Sequence, residues 1–385
     1  MKIAIYGAGT YGKYIYNEIV NNENAKLSVV CWIDNFYKED LLENLHVYSE
    51  DDFFSLHISD SVDAVIVAIQ NRRIAEDRIV SILLYGGGYA GAIYYALPNG
   101  YLSKIPVLNE DGELGACIRF YKSIKPTVGR EHLFLFLITD YCNLKCKRCN
   151  HFSNLTTEYN NLDINKFEEY LVQLRKRFKV VPTIQLLGGE PLLNEKLELY
   201  IVLTRKYFPE TLIEIVTNGL LILEMKKALI DTITSNNVNL RISQYPPTRK
   251  QLGRIVDFLE EKGIHYYITE PITQFEKPLT LKEQDGEKAF AEKFHRDCQC
   301  HIIEDGKIGC TVLLKFCDNR EFFRIQIEEE ELRTASIDLM DDSIDGWDML
   351  KFFKQPSVLC KFCNPKRENE PWETGLPQIG DWFSD

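Results

Sequence analysis

The sequence predicts an α/β protein of several domains, built from parallel sheets with helices packed on their faces. Three observations predict this. The 385 residues exceed what one hydrophobic core usually holds, about 250–300 residues. Apolar runs of strand length alternate with helical stretches over most of the chain. The cysteines bunch where that alternation stops, since of 11 in the chain nine lie beyond Cys117.

In order along the chain, KIAIY runs into GAGTYG, and a helix follows from Lys13 to about Val20. LSVVCWID, VDAVIVAI and GAIYYAL read as further buried strands, with a helix from about Arg72 to Leu84 before the last. This alternation over residues 1–110 predicts a parallel sheet covered on both faces. Residues 111–130 are rich in turn signals and read as a linker, with a short helix around Ala116 to Ser123. From Glu131 to about residue 275, HLFLFLIT, TIQLLGG, LIEIVTNG, NLRISQY and IHYYITE alternate with helices near Asn165–Phe178, Glu195–Tyr207, Glu224–Ser235 and Thr248–Glu261. Strand–helix units in such a row predict an open or closed α/β barrel, with functional groups at the carboxyl ends of the strands. Residues 276–385 lose the beat and carry six cysteines, an EEEEL patch and a hairpin-like EDGKIGC, which sets them apart as a third segment.

A composition of 45% hydrophobic and 26% charged residues is ordinary for a globular protein and excludes disordered, collagen-like and disulfide-scaffold chains. The formal charge of −12 would repel a phosphate backbone, so no nucleic-acid partner is expected. The basic run LRKRFK (Leu174 to Lys179) reads as a solvated helix face. No apolar stretch approaches the roughly 18 residues of a membrane span, and the chain opens on a strand rather than a signal peptide. No membrane partner and a cytoplasmic location are therefore expected. Disulfides are rare in that compartment, so closely spaced cysteines point to metal.

Gly7, Gly9 and Gly12 form G-x-G-x-x-G between a strand and a helix, with Asp34 at the end of the second strand. Such glycines allow a tight turn and bring a pyrophosphate close to a helix amino terminus, where an acid about 20 residues on holds a ribose hydroxyl. The plainer reading is that they only let the helix pack against the strand. The YGAGTYGKYIYNEI…VVCWIDN…DAVIVAI pattern resembles the small Rossmann-like domains attached to bacterial glycan-biosynthesis enzymes. That resemblance implies a site for a nucleotide sugar without requiring NAD.

Cys142, Cys146 and Cys149 give C-x3-C-x2-C directly after a strand. Three thiolates on one loop can hold three corners of a four-iron cluster and leave the fourth iron open. The alternative is a structural zinc with His151 as fourth ligand. LLGGEP follows the next strand, where Gly188 and Gly189 bare the backbone beside Glu190 and Pro191. The two motifs in this order, over about Glu131 to Pro271, resemble the radical S-adenosylmethionine (SAM) superfamily. The resemblance implies a partial (β/α)6 barrel and an open iron that binds SAM by its amino and carboxylate groups. It also implies a GGEP turn holding the SAM amino group, with Ser243, and after it Asn218, as matches to the family's ribose-contacting position. Reductive cleavage of SAM would then yield a 5′-deoxyadenosyl radical, at the expense of an electron donor such as a flavodoxin or ferredoxin. The position before the third cysteine, often an aromatic residue packed on adenine, is here Arg148, whose guanidinium can stack on a base.

Cys300 and Cys310 flank the hairpin-like segment, and CKFC adds Cys360 and Cys363, a set of four thiolates able to close a second cluster or a zinc site. After such a barrel the arrangement is similar to SPASM and twitch domains, and the shorter twitch form implies one auxiliary [4Fe–4S] cluster. Cys298 and Cys317 are left over. Either could replace Cys300 as a ligand or be an ordinary buried thiol, the commoner fate. An epimerase must return a hydrogen atom to the opposite face of its substrate, and a thiol outside the clusters is a good donor, Cys317 first and Cys298 second. The function read from these features is hydrogen abstraction from a carbohydrate or nucleotide-activated sugar, ending in epimerisation or alcohol oxidation. A radical SAM peptide maturase and a non-catalytic, zinc-stabilised nucleotide-binding scaffold are the alternatives.

Overall fold

A computed structural model describes residues 1–85, 89–97, 107–128, 133–156, 159–294, 298–325, 327–366 and 368–384. The chain forms two compact units, Met1–Thr127 and Val128–Asp385.

The first unit runs β1 (Lys2–Tyr6), α1 (Thr10–Val20), β2 (Ser28–Ile33), β3 (Leu41–Leu42), β4 (Leu45–Tyr48), α2 (Glu50–Ser55), β5 (Ala64–Val67), α3 (Arg72–Tyr85), β6 (Ala92–Ala96) and β7 (Ile118–Phe120). Its sheet has the order β3-β4-β2-β1-β5-β6-β7. The strands from β4 to β6 are parallel, and antiparallel β3 and β7 close the edges. Strands β1 and β5 sit at the centre with nearly every side chain buried, which is why they read as unbroken apolar runs. Helix α1 lays Tyr11, Ile15 and Ile19 on the sheet, one turn apart.

The segment expected to be a linker belongs in part to this unit. Ile118–Phe120 pairs with β6, Cys117 and Ile118 enter the same core, and only a 3-10 turn, Tyr121–Ser123, remains of the helix expected at 116–123.

The second unit runs β8 (Leu133–Thr139), α4 (Ile164–Arg177), β9 (Thr183–Gly188), α5 (Leu197–Tyr207), β10 (Leu212–Thr217), α6 (Lys227–Ser235), β11 (Asn239–Ile242), α7 (Pro246–Arg249), α8 (Leu252–Lys262), β12 (His265–Ile268) and β13 (Gln274–Glu276). It continues through α9 (Gly286–Lys293), β14 (Cys300–Glu304), β15 (Lys307–Cys310), α10 (Thr311–Asp318), α11 (Arg320–Phe323), α12 (Glu329–Thr334), β16 (Ser336–Asp338), α13 (Gly346–Phe353) and β17 (Asn369–Pro371). The sheet order is β12-β11-β10-β9-β8-β14-β15-β16. The five expected strand–helix units thus lie side by side in sequence order.

The sixth parallel strand, β14, joins on the other side of β8 and draws the cysteine-rich segment into the same sheet. Residues 276–385 and 131–275 therefore form one compact body rather than two. The physical reason is β8: LFLFLIT is buried on both faces, and its backbone needs a hydrogen-bonding strand on each side.

Asp163 caps α4 by accepting from the Asn165 and Lys166 N–H groups, and Phe167, Tyr170, Leu171 and Leu174 form its buried stripe. One part of LRKRFK departs from the expected solvated face. Arg177 is buried and donates to the Gln173, Asp341 and Ile344 carbonyls and to the Gln173 side chain, so each of its three guanidinium nitrogens has an acceptor. Among the described residues no helix is long and apolar enough to cross a membrane.

Candidate active site

In the first unit the carboxyl ends of β1, β2 and β5 enclose a cavity of about 420 Å³, lined among others by Gly7, Gly9, Thr10, Asp34, Asn71 and Arg78. Strand order reverses around β1, where open α/β sheets leave a crevice. The three glycines have different work. A Cβ on Gly12 would collide with the Gly7 carbonyl and stand 3.2 Å from the Trp32 ring, whereas one on Gly9 meets nothing within 4 Å. Gly9 is the N-cap of α1 and offers no side-chain cap, so the helix starts uncapped beside a cavity that Gly9, Thr10 and Tyr11 line. Asp34 braces the turn, accepting from the N–H groups of Ala8 at 2.8 Å, Phe36 at 2.8 Å and Tyr37 at 3.1 Å. A carboxylate has about four lone-pair sites, so little acceptor capacity is left for a ribose hydroxyl. Gly12→Ala is expected to cost the fold about 1–3 kcal/mol by overpacking, while Gly9→Ala stays within about 1 kcal/mol of the parent. Urea unfolding of the two variants checks this, and equal losses would contradict it.

In the second unit, Cys142, Cys146, Cys149, Gly188, Gly189, Asn218 and Ser243 line one cavity of about 100 Å³, together with His151, Asn154 and Tyr245. Backbone bonds hold the two motif loops together: the Gly189 N–H donates to the Thr139 carbonyl at 2.8 Å and the Glu190 N–H to the Tyr141 carbonyl at 2.9 Å. The approach is close enough that a Cβ on Gly188 would strike the Thr139 carbonyl, and one on Gly189 the Tyr141 carbonyl. The cysteine loop holds Lys145, Arg148 and Phe152 at positive φ of 48°, 61° and 57°, a concentration of backbone strain of the kind found at functional sites.

Burial pushes the Cys142 thiol up to about 11 and Cys146 up to about 12, and the neighbouring thiols repel one another's charged forms. Thiols of this kind ionise only when a cation shares the site. Among the described residues no group of three or more His, Cys, Asp or Glu side chains is preformed around a point for an ion. The fit to a polar ligand rests on Asn154, which is 7% exposed and keeps both amide atoms buried without a partner while lining the cavity. Burial lowers the His151 imidazole to about 4, so it is neutral.

Glu190 does not line this cavity. Its carboxylate turns inward and accepts from the Thr217 hydroxyl at 2.7 Å, the Asn218 N–H at 2.8 Å and the Leu192 N–H at 3.1 Å, tying the turn to the end of β10. Pro191 opens the 3-10 turn that follows. Burial, partly offset by these bonds, pushes Glu190 up to about 7. A carboxyl raised in the folded state contributes stability that is full below its ordinary value and is lost as pH rises through the folded one. The loss is about 3 kcal/mol between pH 4.5 and above 7. The unfolding free energy of the apoprotein is expected to fall over this range, and Glu190→Gln to flatten the fall. An unchanged slope in the variant would contradict this.

Arg148 is drawn away from a stacking role. Its guanidinium donates to the Pro371 carbonyl at 3.2 Å and lies 3.9 Å from Glu370, and it is not among the cavity-lining residues. Sequence reasoning passed over Trp372, whose indole N–H donates to the Cys146 sulfur at 3.2 Å, and Tyr245, whose ring stands 5.8 Å from that of Trp372. It also passed over Asn154. None carries a local motif.

A second cavity, of about 40 Å³, is lined by Cys298, Cys310, Cys360 and Cys363, with His301, Phe290 and Phe353 around them. Burial raises all three thiols of Cys298, Cys310 and Cys360, and each is raised further by a neighbouring cysteine of this set. Cys298, which the sequence left over, thus lines this cavity together with the other three thiols. The side chains of Cys300 and Cys317 lie outside the described residues.

Two family models match the chain: the Radical SAM superfamily over residues 136–264 and the PglD N-terminal domain over residues 2–78. The radical SAM and Rossmann-like resemblances are borne out by these matches, and a radical SAM domain implies SAM and a [4Fe–4S] cluster as cofactors. A GTP 3′,8-cyclase of Nautilia profundicola is 28% identical over 133 residues, which cover 32% of this chain and 41% of that protein. The chain thus matches less than half the length of this relative. Among solved structures, BtrN in complex with AdoMet and 2-DOIA is 15% identical at a TM-score of 0.37, covering 60% of this chain and 92% of that one. UDP-D-quinovosamine 4-dehydrogenase from Vibrio fischeri is 17% identical at a TM-score of 0.23, covering 26% and 82%.

Proposed function

We propose that this radical SAM protein abstracts a hydrogen atom from a carbohydrate or nucleotide-activated sugar and epimerises or oxidises a carbinol carbon. Bound at Cys142, Cys146 and Cys149, the cluster would supply the electron that cleaves SAM and so the 5′-deoxyadenosyl radical. The chain's own residues do the rest. Gly188 and Gly189 let the backbone approach the cysteine loop, Asn218 and Ser243 offer polar side chains to the nucleoside, and Asn154 presents an unpaired amide to the polar end of the ligand. Glu190 positions the turn from behind.

The observation that carries the sugar reading is the first unit: a match to a glycan-biosynthesis domain, with a 420 Å³ cavity at an uncapped helix terminus suited to phosphate. Cys298, Cys310, Cys360 and Cys363 would hold an auxiliary four-iron cluster. The test is release of 5′-deoxyadenosine by the anaerobically reconstituted chain against a panel of nucleotide sugars in heavy water. One of them is expected to stimulate release. A product gaining one deuterium at an inverted carbon identifies epimerisation, with Cys317→Ala blocking the inversion, and a product poorer by two hydrogens identifies oxidation. Failure of every sugar, with stimulation by a peptide instead, would overturn the reading.

A further inference from the structure

The carboxyl-terminal residues 369–383 form a strap over the three-cysteine loop. Strand β17 pairs antiparallel with β13, Thr374 bridges to Cys146, the Lys147 N–H donates to the Glu373 carbonyl at 2.9 Å, and Lys147 and Glu373 form an ion pair at 3.4 Å. Two indoles grip the loop. Trp372 donates to the Cys146 sulfur at 3.2 Å, and Trp382 donates to the Cys149 carbonyl at 3.0 Å while its ring stacks on Phe152, with centroids 5.2 Å apart. The two contacts differ chemically, because only Trp372 bonds to a sulfur that would ligate iron.

We infer that Trp372 is a positioning residue that tunes the catalytic cluster, its indole N–H stabilising the Cys146 thiolate as the cluster takes up an electron, while Trp382 only fastens the strap. This rests on the reading that Cys142, Cys146 and Cys149 hold that cluster. A hydrogen bond to a ligating sulfur stabilises the more negative, reduced cluster and so makes reduction easier. The indole also covers one side of Cys146, a thiol only 7% exposed, where a hydrogen bond is not diluted by water. Nothing in the sequence around Trp372 announces this, since the two residues are 226 positions apart.

The experiment is a dithionite titration of the reconstituted full-length chain, followed by electron paramagnetic resonance of the signal that SAM addition perturbs. In Trp372→Phe the equilibrium constant for reduction is expected to fall by up to tenfold, about 59 mV for one electron, with iron content retained. Trp382→Phe, which loosens the strap without touching a sulfur, is expected to leave the potential in place. An unshifted potential in Trp372→Phe, or an equal shift in both variants, overturns the inference. Should Trp372→Phe fail to hold iron, the parent chain labelled with [15N]indole decides: a hyperfine coupling to the SAM-sensitive signal is expected, and its absence overturns the inference. A parent chain with no SAM-sensitive signal at all would instead sink the reading of the three-cysteine site.

Discussion

Replacing Cys146 by Ala is expected to stop cleavage of SAM while the iron held by the other cysteine set stays in the protein. The three-cysteine loop offers three thiols and no fourth cysteine among those lining its cavity, so each must take one corner of the cluster. Cys146 is the most restrained of the three by the strap, through Thr374 and Trp372. Its loss removes a ligand and leaves the indole N–H facing a methyl group. Release of 5′-deoxyadenosine is expected to drop by at least about a thousandfold, or about 4 kcal/mol of barrier. Because the loop makes its backbone bonds independently of this thiol, the variant should fold as the parent does. Iron analysis gives the second readout, with roughly half the metal retained. Retained cleavage in this variant would remove the cluster from this loop.

What the sequence disclosed and what it withheld follow from the range over which each feature acts. The glycine turn, the C-x3-C-x2-C loop and the GGEP turn are short-range devices: spacing along the chain fixes what can meet at a strand end, so Cys142, Cys146, Cys149, Gly188 and Gly189 come together on one cavity. The parallel strands were legible because burial on both faces removes polar residues, as in LFLFLIT. The position of β14 beside β8 was not, because its CHIIE pattern suits any half-buried strand and its partner is fixed only by what else the sheet leaves open. Trp372 and Trp382 were silent for the same reason, each acting on a loop more than 200 residues earlier. Asp34 shows a subtler limit: the sequence placed an acid at the right strand end, but only the folded turn shows that backbone N–H groups claim most of its acceptor capacity. Glu190 is similar, a motif residue whose carboxylate faces the protein rather than the cavity.

Cys298 carries the second large effect, because the sequence left it over and the structure places it in a set of four. Its side chain is 9% exposed and shares a cavity with Cys310, Cys360 and Cys363, and burial and their nearness together raise its thiol. Four thiols in a pocket with Phe290, Leu313 and Phe353 around them are poorly placed as free groups, since burial raises Cys298, Cys310 and Cys360 and disfavours their charged forms. Filled by a four-iron cluster, the same set is closed, with no corner left open for a substrate. In the reconstituted chain, Cys298→Ala is therefore expected to lower iron from about eight to about four atoms per chain, as Cys360→Ala does. Cleavage of SAM without substrate should persist in both, since neither residue lines the cavity of the three-cysteine loop. If Cys298→Ala keeps its full iron while Cys360→Ala loses half, another thiol, with Cys300 the nearest in sequence, must close the set. Cys298 would then be free to serve as the hydrogen-atom donor that an epimerase needs, and a product from this variant in heavy water would show it by failing to invert.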